Sequence, residues 1–215
     1  MSQEIKLSII SGSHRQQSES VKIARAVEHQ LSTLDGVSRD NVGVNLSVDL
    51  SVDLIDLANT KLPLWDVTFE NIEQQQIELL ADQLEDSDGF VFVVPEWHGM
   101  VPAAVKNFFL HYSGGQLAHK PALIIAVSAG EGGAYPIVEL RSSSYKNSRI
   151  CYLPEHLIIR RVQSVFNTDS ENHPESQSYL ERRMTHCLNL LVSYSLALRG
   201  VRQELPAETE FSNGM

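Results

Sequence analysis

Leu7-Ser8-Ile9-Ile10-Ser11-Gly12-Ser13-His14-Arg15-Gln16-Gln17-Ser18-Glu19-Ser20 is the stretch from which the fold is read. An apolar run ends in a small, hydroxyl-rich turn. Val21, Ile23, Ala24, Val27 and Leu31 then recur at helical spacing. The order is strand, turn, helix. Ser13, Ser18 and Ser20 offer hydroxyls, Arg15 a fixed positive charge, and the helix start its free N–H groups and the positive end of its dipole. Such a turn can close around one anion, and a phosphate is the natural guest. The same residues also fit an ordinary strand-to-helix turn capped by Ser18 or Ser20. Neither Gly-x-x-x-x-Gly-Lys nor Gly-x-Gly-x-x-Gly occurs here, which favours a terminal phosphate monoester over a triphosphate or a Rossmann-type dinucleotide. Glu19 would repel a phosphate and is expected to point outward.

Further along, the first helix is expected to end at Asp35-Gly36. Residues 42–54 then alternate apolar and polar without a break, with Leu-Ser-Val-Asp repeated at 46–49 and 50–53. This predicts a long edge strand with one wet face. A helix over about 70–86 has Ile72, Ile77, Leu80, Ala81 and Leu84 on one face. Gly89-Phe90-Val91-Phe92-Val93-Val94-Pro95 and Ala122-Leu123-Ile124-Ile125-Ala126-Val127 are continuous apolar runs, the pattern of strands covered on both faces. Between them a helix starts just after Pro102. Another helix follows Tyr135, and a last strand or pair of short ones lies between His156 and Phe166. A long helix over about 177–199 is expected to stop at Gly200. Five strands alternating with about five helices predict an α/β doubly wound five-stranded parallel sheet with helices on both faces. The reading takes residues 1–203 as one domain and 204–215 as a mobile tail.

Ligands of such a sheet bind beyond the carboxyl ends of its strands. Three of those ends carry unusual loops: 11–20, 95–102 and 128–135. In the second, Trp97 offers a flat apolar face suited to a planar heteroaromatic ring, with Pro95 and Gly99 shaping the backbone, although a tryptophan can equally plug a sheet end. His98 could serve as acid, base or donor, and Glu96 as a plain surface carboxylate. In the third, Ser128 precedes Gly130, Gly132 and Gly133, where bare backbone can approach a ligand edge or simply turn tightly.

The totals narrow the class. A chain of 215 residues can bury a sizeable core. Its net charge of −10 argues against a general nucleic-acid binder. No run reaches the ~20 apolar residues of a membrane helix, and no secretory leader is evident. Cys151 and Cys187 lack metal or redox spacing and suit reduced thiols in the cytoplasm. The histidines show no metal-ligand spacing, so no metal is expected, and Gly-x-Ser-x-Gly is absent. Arg160-Arg161 and Arg182-Arg183 read as solvated or salt-bridged faces.

With all three loops in view, the chain resembles the NAD(P)H-dependent FMN reductase family, a branch of the flavodoxin-like superfamily. The family's Gly-Ser-x-Arg-x-x-Ser loop is matched by Gly12-Ser13-His14-Arg15-Gln16-Gln17-Ser18. Its Pro-Glu-Tyr-Asn-x-x-x-Pro-x-x-x-Lys-Asn block is similar to 95–107, with Trp97 and His98 in place of Tyr and Asn. Its Gly-rich turn is matched by Ser128-Ala129-Gly130-Glu131-Gly132-Gly133. The resemblance implies non-covalent FMN, with Ser13, Arg15, Ser18 and Ser20 on its phosphate. Pro95, Glu96, Trp97 and His98 would line the isoalloxazine, and Ser128, Gly130, Gly132 and Gly133 its pyrimidine edge. It further implies a homodimer or homotetramer in which no side chain need act as acid or base. Electrons would pass from NADH or NADPH to a small acceptor such as a quinone, azo compound, metal oxyanion or free flavin. The alternative class is a flavin-binding electron carrier or redox sensor without nicotinamide turnover. Leu110-His111-Tyr112 departs from the family's usual continuation, as does the repeat at 42–54.

Overall fold

The computed structural model describes residues 3–34, 48–66, 68, 71–168 and 170–205. Five parallel strands form one sheet in the order β2-β1-β3-β4-β5. They are β1 (Gln3–Ser11), β2 (Val48–Asp56), β3 (Gly89–Pro95), β4 (Pro121–Val127) and β5 (Cys151–Ile159). The helices are α1 (Glu19–Ser32), α2 (Leu57–Thr60), α3 (Asn71–Glu85), α4 (Ala103–His111), α5 (Ala134–Ser143) and α6 (Pro174–Glu204). This is the expected flavodoxin-like doubly wound sheet, and its strand order reverses at β1. Parallel crossovers keep one hand, so reversing direction places helices on opposite faces.

The central strands divide their side chains between two cores. Val91, Val93, Leu123 and Ile125 face α1 and α6, where they meet Ile23, Val27, Met184 and Leu188. Phe90, Phe92, Ala122 and Ile124 face the other way, toward Leu84, Val105, Phe108 and Leu140 of α3, α4 and α5. All of β3 and β4 is buried, which explains their unbroken apolar runs. Each such large side chain contributes about 1.5–3 kcal/mol by leaving water.

Several expectations are corrected. β2 is an edge strand as read, but its described part starts at Val48; residues 42–47 and Asp35-Gly36 lie outside the described residues. Directly after β2 the chain forms a short helix, which Asp56 caps by accepting the Ala58 N–H. β5 begins at Cys151, before the stretch expected to be strand. Pro154 disguised it, and the structure accommodates that proline at the other sheet edge with a register shift opposite Ala122 and Ile124. Val162–Ser164 is a 3-10 turn rather than strand.

α6 starts at Pro174 and passes through Gly200 to Glu204, so Gly200 does not end it. Tertiary contacts override the glycine. Arg199 and Arg202, on either side of it, both bind the Asp88 carboxylate at the entrance to β3. The expected mobile tail from 204 thus begins with a helical residue, and 206–215 lie outside the described residues.

Candidate functional site

The carboxyl ends of β1 and β3 flank the point where the strand order reverses, and the loops after them are held close together. Gly12 donates its N–H to the Val93 carbonyl at 2.8 Å. A Cβ there would meet Val105 Cγ2 at 2.7 Å and the Val93 oxygen at 3.1 Å, so only glycine lets β1 leave the sheet along this path. Beyond it, Ser13 is buried and its Oγ accepts the Arg15 N–H at 3.1 Å. Ser18 caps α1 by accepting the Val21 N–H at 3.2 Å. Both hydroxyls keep their protons to donate. Ser20 is 1% exposed, and its Oγ has no protein partner. A buried hydroxyl left unsatisfied costs roughly 1–3 kcal/mol, so it marks a place where something polar is meant to sit.

These residues line one cavity of about 290 Å³ together with Arg15, Pro95, Glu96 and Trp97. Seven of the twelve expected site residues therefore converge: Ser13, Arg15, Ser18, Ser20, Pro95, Glu96 and Trp97. His98, Ser128, Gly130, Gly132 and Gly133 are not in its wall. Val127, Ala129, Val162 and Gln163 line it instead, along with Gln16, Gln17 and Glu19 of the phosphate loop. Gln163 had no sequence signal, because it follows β5, whose limits Pro154 concealed.

Two expectations about side chains change. The Trp97 face is not bare: the Arg15 guanidinium lies over the indole, 4.2 Å from its centroid, and the His14 ring meets it edge-on at 4.8 Å. Glu19 does not point away. It lies in the cavity wall, where Lys22 Nζ neutralises its Oε2 at 2.7 Å.

The residues outside the wall support it. His98 (φ +52°) and Gly99 (φ +74°) form a tight turn closed by Trp97 and Met100, whose N–H groups reach each other's carbonyls at 3.1 and 3.0 Å. Two positive φ values in succession define a type I′ turn, which Asn-Gly fills best. Glu96 accepts the Gly133 N–H at 2.7 Å and the Tyr135 N–H at 3.3 Å, so its carboxylate caps α5 and ties the second loop to the third. Gly132 makes room for that carboxylate, since a Cβ would sit 2.3 Å from Glu96 Oε1. Gly133 (φ +103°) makes room for Ile158 in the same way. The Ser128 hydroxyl accepts the Gly130 N–H at 3.2 Å. Arg160 donates to the carbonyls of Glu131 and Gly132, and Arg161 pairs with the Glu131 carboxylate. Both arginines thus brace the third loop.

The Lys106-Asn107 pair is also structural. Asn107 donates to the Pro63 carbonyl at 2.7 Å and accepts the Trp65 N–H at 2.8 Å, pinning the 63–65 segment to α4. Lys106 pairs with Glu139 at 2.5 Å, and Glu139 also accepts the Val101 N–H at 2.8 Å. Burial opposes the Glu139 charge, but those hydrogen bonds outweigh it and hold the carboxyl below its ordinary range. Among the described residues no cluster of His, Cys, Asp or Glu could hold a metal, and no helix is long and apolar enough to cross a membrane.

Comparison with known proteins bears on the same loops. The chain is 25% identical over 107 residues to an NADPH azoreductase of a Bacillus species, covering 50% of this chain and 60% of that protein. It is 29% identical over 140 residues to the quinone reductase of Escherichia coli, covering 62% and 66%. The matches thus span less than two thirds of those relatives' length. Among solved structures, an oxidoreductase of Corynebacterium diphtheriae superposes with a TM-score of 0.69 at 18% identity, covering 91% of this chain and 99% of that one. A flavoenzyme NAD(P)H:acceptor oxidoreductase of Paracoccus denitrificans gives 0.64 at 16%, covering 90% and 98%. These two show the shared fold. The model of the NADPH-dependent FMN reductases matches residues 5–163, the span from β1 through the braced third loop to the 3-10 turn that completes the cavity, and the chain belongs to that family.

Proposed function

We propose that the protein is an FMN-dependent oxidoreductase that takes electrons from NADPH or NADH and passes them to a small acceptor, a quinone or azo compound being the classes its relatives' names suggest. The carrying observation is the buried, unpartnered Ser20 hydroxyl in a cavity that also holds Ser13, Ser18, Arg15 and the start of α1. That donor set fits a phosphate monoester: three hydroxyls, one guanidinium and a helix N-terminus share one cavity, the donors an anion of that kind needs. Pro95, Glu96, Trp97 and Ala129 line the rest of the cavity, where a flat ring system would lie. Bound flavin supplies the two-electron chemistry, which no side chain here could supply. The chain's own part is to hold the phosphate, fix the ring against the second and third loops, and present backbone rather than an acid or base. Ser128, Gly130, Gly132 and Gly133 act one layer back, by shaping that backbone.

Residues 1–203 would work as one FMN-binding domain. The exposed Met100, Leu110, Tyr135 and Val138 on the α4–α5 side support self-association into a homodimer or homotetramer. Two unbridged cysteines suit a reducing, cytoplasmic setting.

The test is the visible spectrum of the purified protein after FMN addition and gel filtration. Flavin absorbance should stay with the wild type, and affinity should fall at least tenfold in Arg15→Ala, a charge-assisted contact. NADPH should bleach the bound flavin without oxygen, and a quinone should restore it. A protein that keeps FMN but is bleached by neither nicotinamide would be an electron carrier instead.

A further inference from the structure

The stack of Arg15 on Trp97 joins the first loop to the second, with the guanidinium 4.2 Å from the indole centroid. Of the two partners, Trp97 is the fixed one. Its N–H donates to the Met100 carbonyl at 3.1 Å and its carbonyl accepts the Met100 N–H at 3.0 Å, across the His98-Gly99 turn. Its side chain is half-buried, and the His14 ring packs edge-on against it at 4.8 Å. Arg15 is exposed, so the indole is the platform and the arginine the group it steadies. Indole also offers a cation the strongest of the aromatic faces.

Such a stack uses only the flat face of the guanidinium. The N–H groups point outward in its plane and stay free to meet an anion edge-on. None of them has an acceptor among the described residues, and Arg15 makes no ion pair among them. The stacked side chain stands in the wall of the cavity of about 290 Å³ together with Ser13, Ser18 and Ser20. One placement therefore serves both contacts.

A guanidinium without that platform would have a competitor for its charge. Glu19 lies in the same cavity wall, and an Arg15–Glu19 pair would cancel the positive charge that a phosphate needs. Two contacts oppose this pairing. Lys22 Nζ holds Glu19 Oε2 at 2.7 Å, and is itself fixed by the Val162 carbonyl and Asn167 Oδ1, each at 2.8 Å. Trp97 holds Arg15.

We propose that Trp97 is a positioning residue for Arg15. It keeps the guanidinium in the anion cavity with its edge free, and through it raises the preference of the site for FMN over riboflavin, which lacks the phosphate. The inference deepens the FMN reading above and rests on it.

The experiment is a fluorescence titration of the full chain, freed of any bound flavin, with FMN and in parallel with riboflavin. Trp97→Leu should lose about two- to fivefold more affinity for FMN than for riboflavin, the size of one exposed cation–π contact. Trp97→Phe, which keeps an aromatic face, should restore most of that difference. In an Arg15→Ala background Trp97→Leu should change the ratio no further, because the arginine it acts through is gone. Nuclear magnetic resonance reads the stack without flavin. The Arg15 Nε–H proton, assigned by its loss in Arg15→Ala, should lie upfield in the indole ring current and return to its ordinary position in Trp97→Leu. Thermal melting reports whether each variant folds. An unshifted Arg15 proton in the wild type overturns the inference even if Trp97→Leu does not fold. Equal losses for FMN and riboflavin overturn it too, since Trp97 would then act on the ring alone. So does tighter FMN binding by Trp97→Leu, which would mean that the arginine must leave the stack to reach the phosphate. A protein that binds neither flavin would sink the reading of the function, and inorganic phosphate titrated against the same Arg15 proton would then decide the inference. Weaker phosphate binding in Trp97→Leu would uphold it, and equal binding would overturn it.

Discussion

Single residues in this protein are chosen for backbone geometry as much as for chemistry. His98 was a candidate acid, base or donor, and the structure places it at the tip of a turn, exposed, with φ of +52°. Its position asks for a side chain that tolerates the left-handed region, and histidine does so better than most. The family's usual asparagine does so better still. His98→Asn should therefore be neutral or raise the melting temperature by about 1–2 °C, whereas the β-branched His98→Val should cost roughly 1–2 kcal/mol. Differential scanning calorimetry separates the two. A loss in the asparagine variant comparable to that in the valine variant would mean that the imidazole itself matters.

Elements are joined by carboxylates that cap helices across the sheet edge. Glu96 follows β3, yet it caps α5 through the N–H groups of Gly133 and Tyr135. Glu139 of α5 reaches back to the Val101 N–H at the other end of the second loop. The two contacts run in opposite directions and fix the 96–101 loop against α5, so the candidate ring site inherits its shape from that helix and not from loop sequence alone. Glu96→Ala should cost about 1–2 kcal/mol in urea unfolding, the range for a lost cap. It should also weaken FMN about tenfold, because the third loop loses its anchor. Gly132→Ala should act through the same contact, since its Cβ would occupy the place of Glu96 Oε1. Full FMN affinity in both variants would show that the loop holds its shape without this tie.

At the scale of the whole molecule, the end of the sheet opposite the site is closed by buried charge. Asp88 accepts from Arg199, Arg202 and the Lys6 N–H. Nearby, Lys120 is 6% exposed and donates to the carbonyls of Leu84, Glu85 and Gln116, capping the end of α3. Burial, with Arg202 adding to it, pulls the Lys120 ammonium down to about 8, against partial support from Asp88, Glu85 and Asp86. The folded state then binds fewer protons than the unfolded chain between about pH 8 and pH 10.5. This contribution to stability therefore rises with pH across that window and is lost as pH falls through 8. Denaturant midpoints measured over the window should show wild type gaining on the order of 1–3 kcal/mol relative to Lys120→Met. Parallel profiles would mean that the lysine titrates normally.

The strands β1, β3 and β4, the face of α1 and the phosphate loop were legible in the sequence because each is a local matter; the face read for α3 held at Leu80 and Leu84, which are buried, but not at Ile72, which is exposed. Hydrophobic period and turn chemistry are written within a dozen residues, and the sheet type follows from the order of the elements. Gly12-Ser13-x-Arg15-x-x-Ser18 carries its own donors, so its chemistry could be read before any fold was known. What the sequence left open depends on contacts between distant residues. Gly200 looked like a stop, but Asp88, more than a hundred positions earlier, holds an arginine on each side of it. Pro154 hid half of β5, because only a place at the sheet edge makes a proline there tolerable. Gly132 and Gly133 looked like room for a ligand and are room for Glu96 and Ile158. The stack of Arg15 on Trp97 had no local signature at all, since its partners come from different loops, and only packing brings those together.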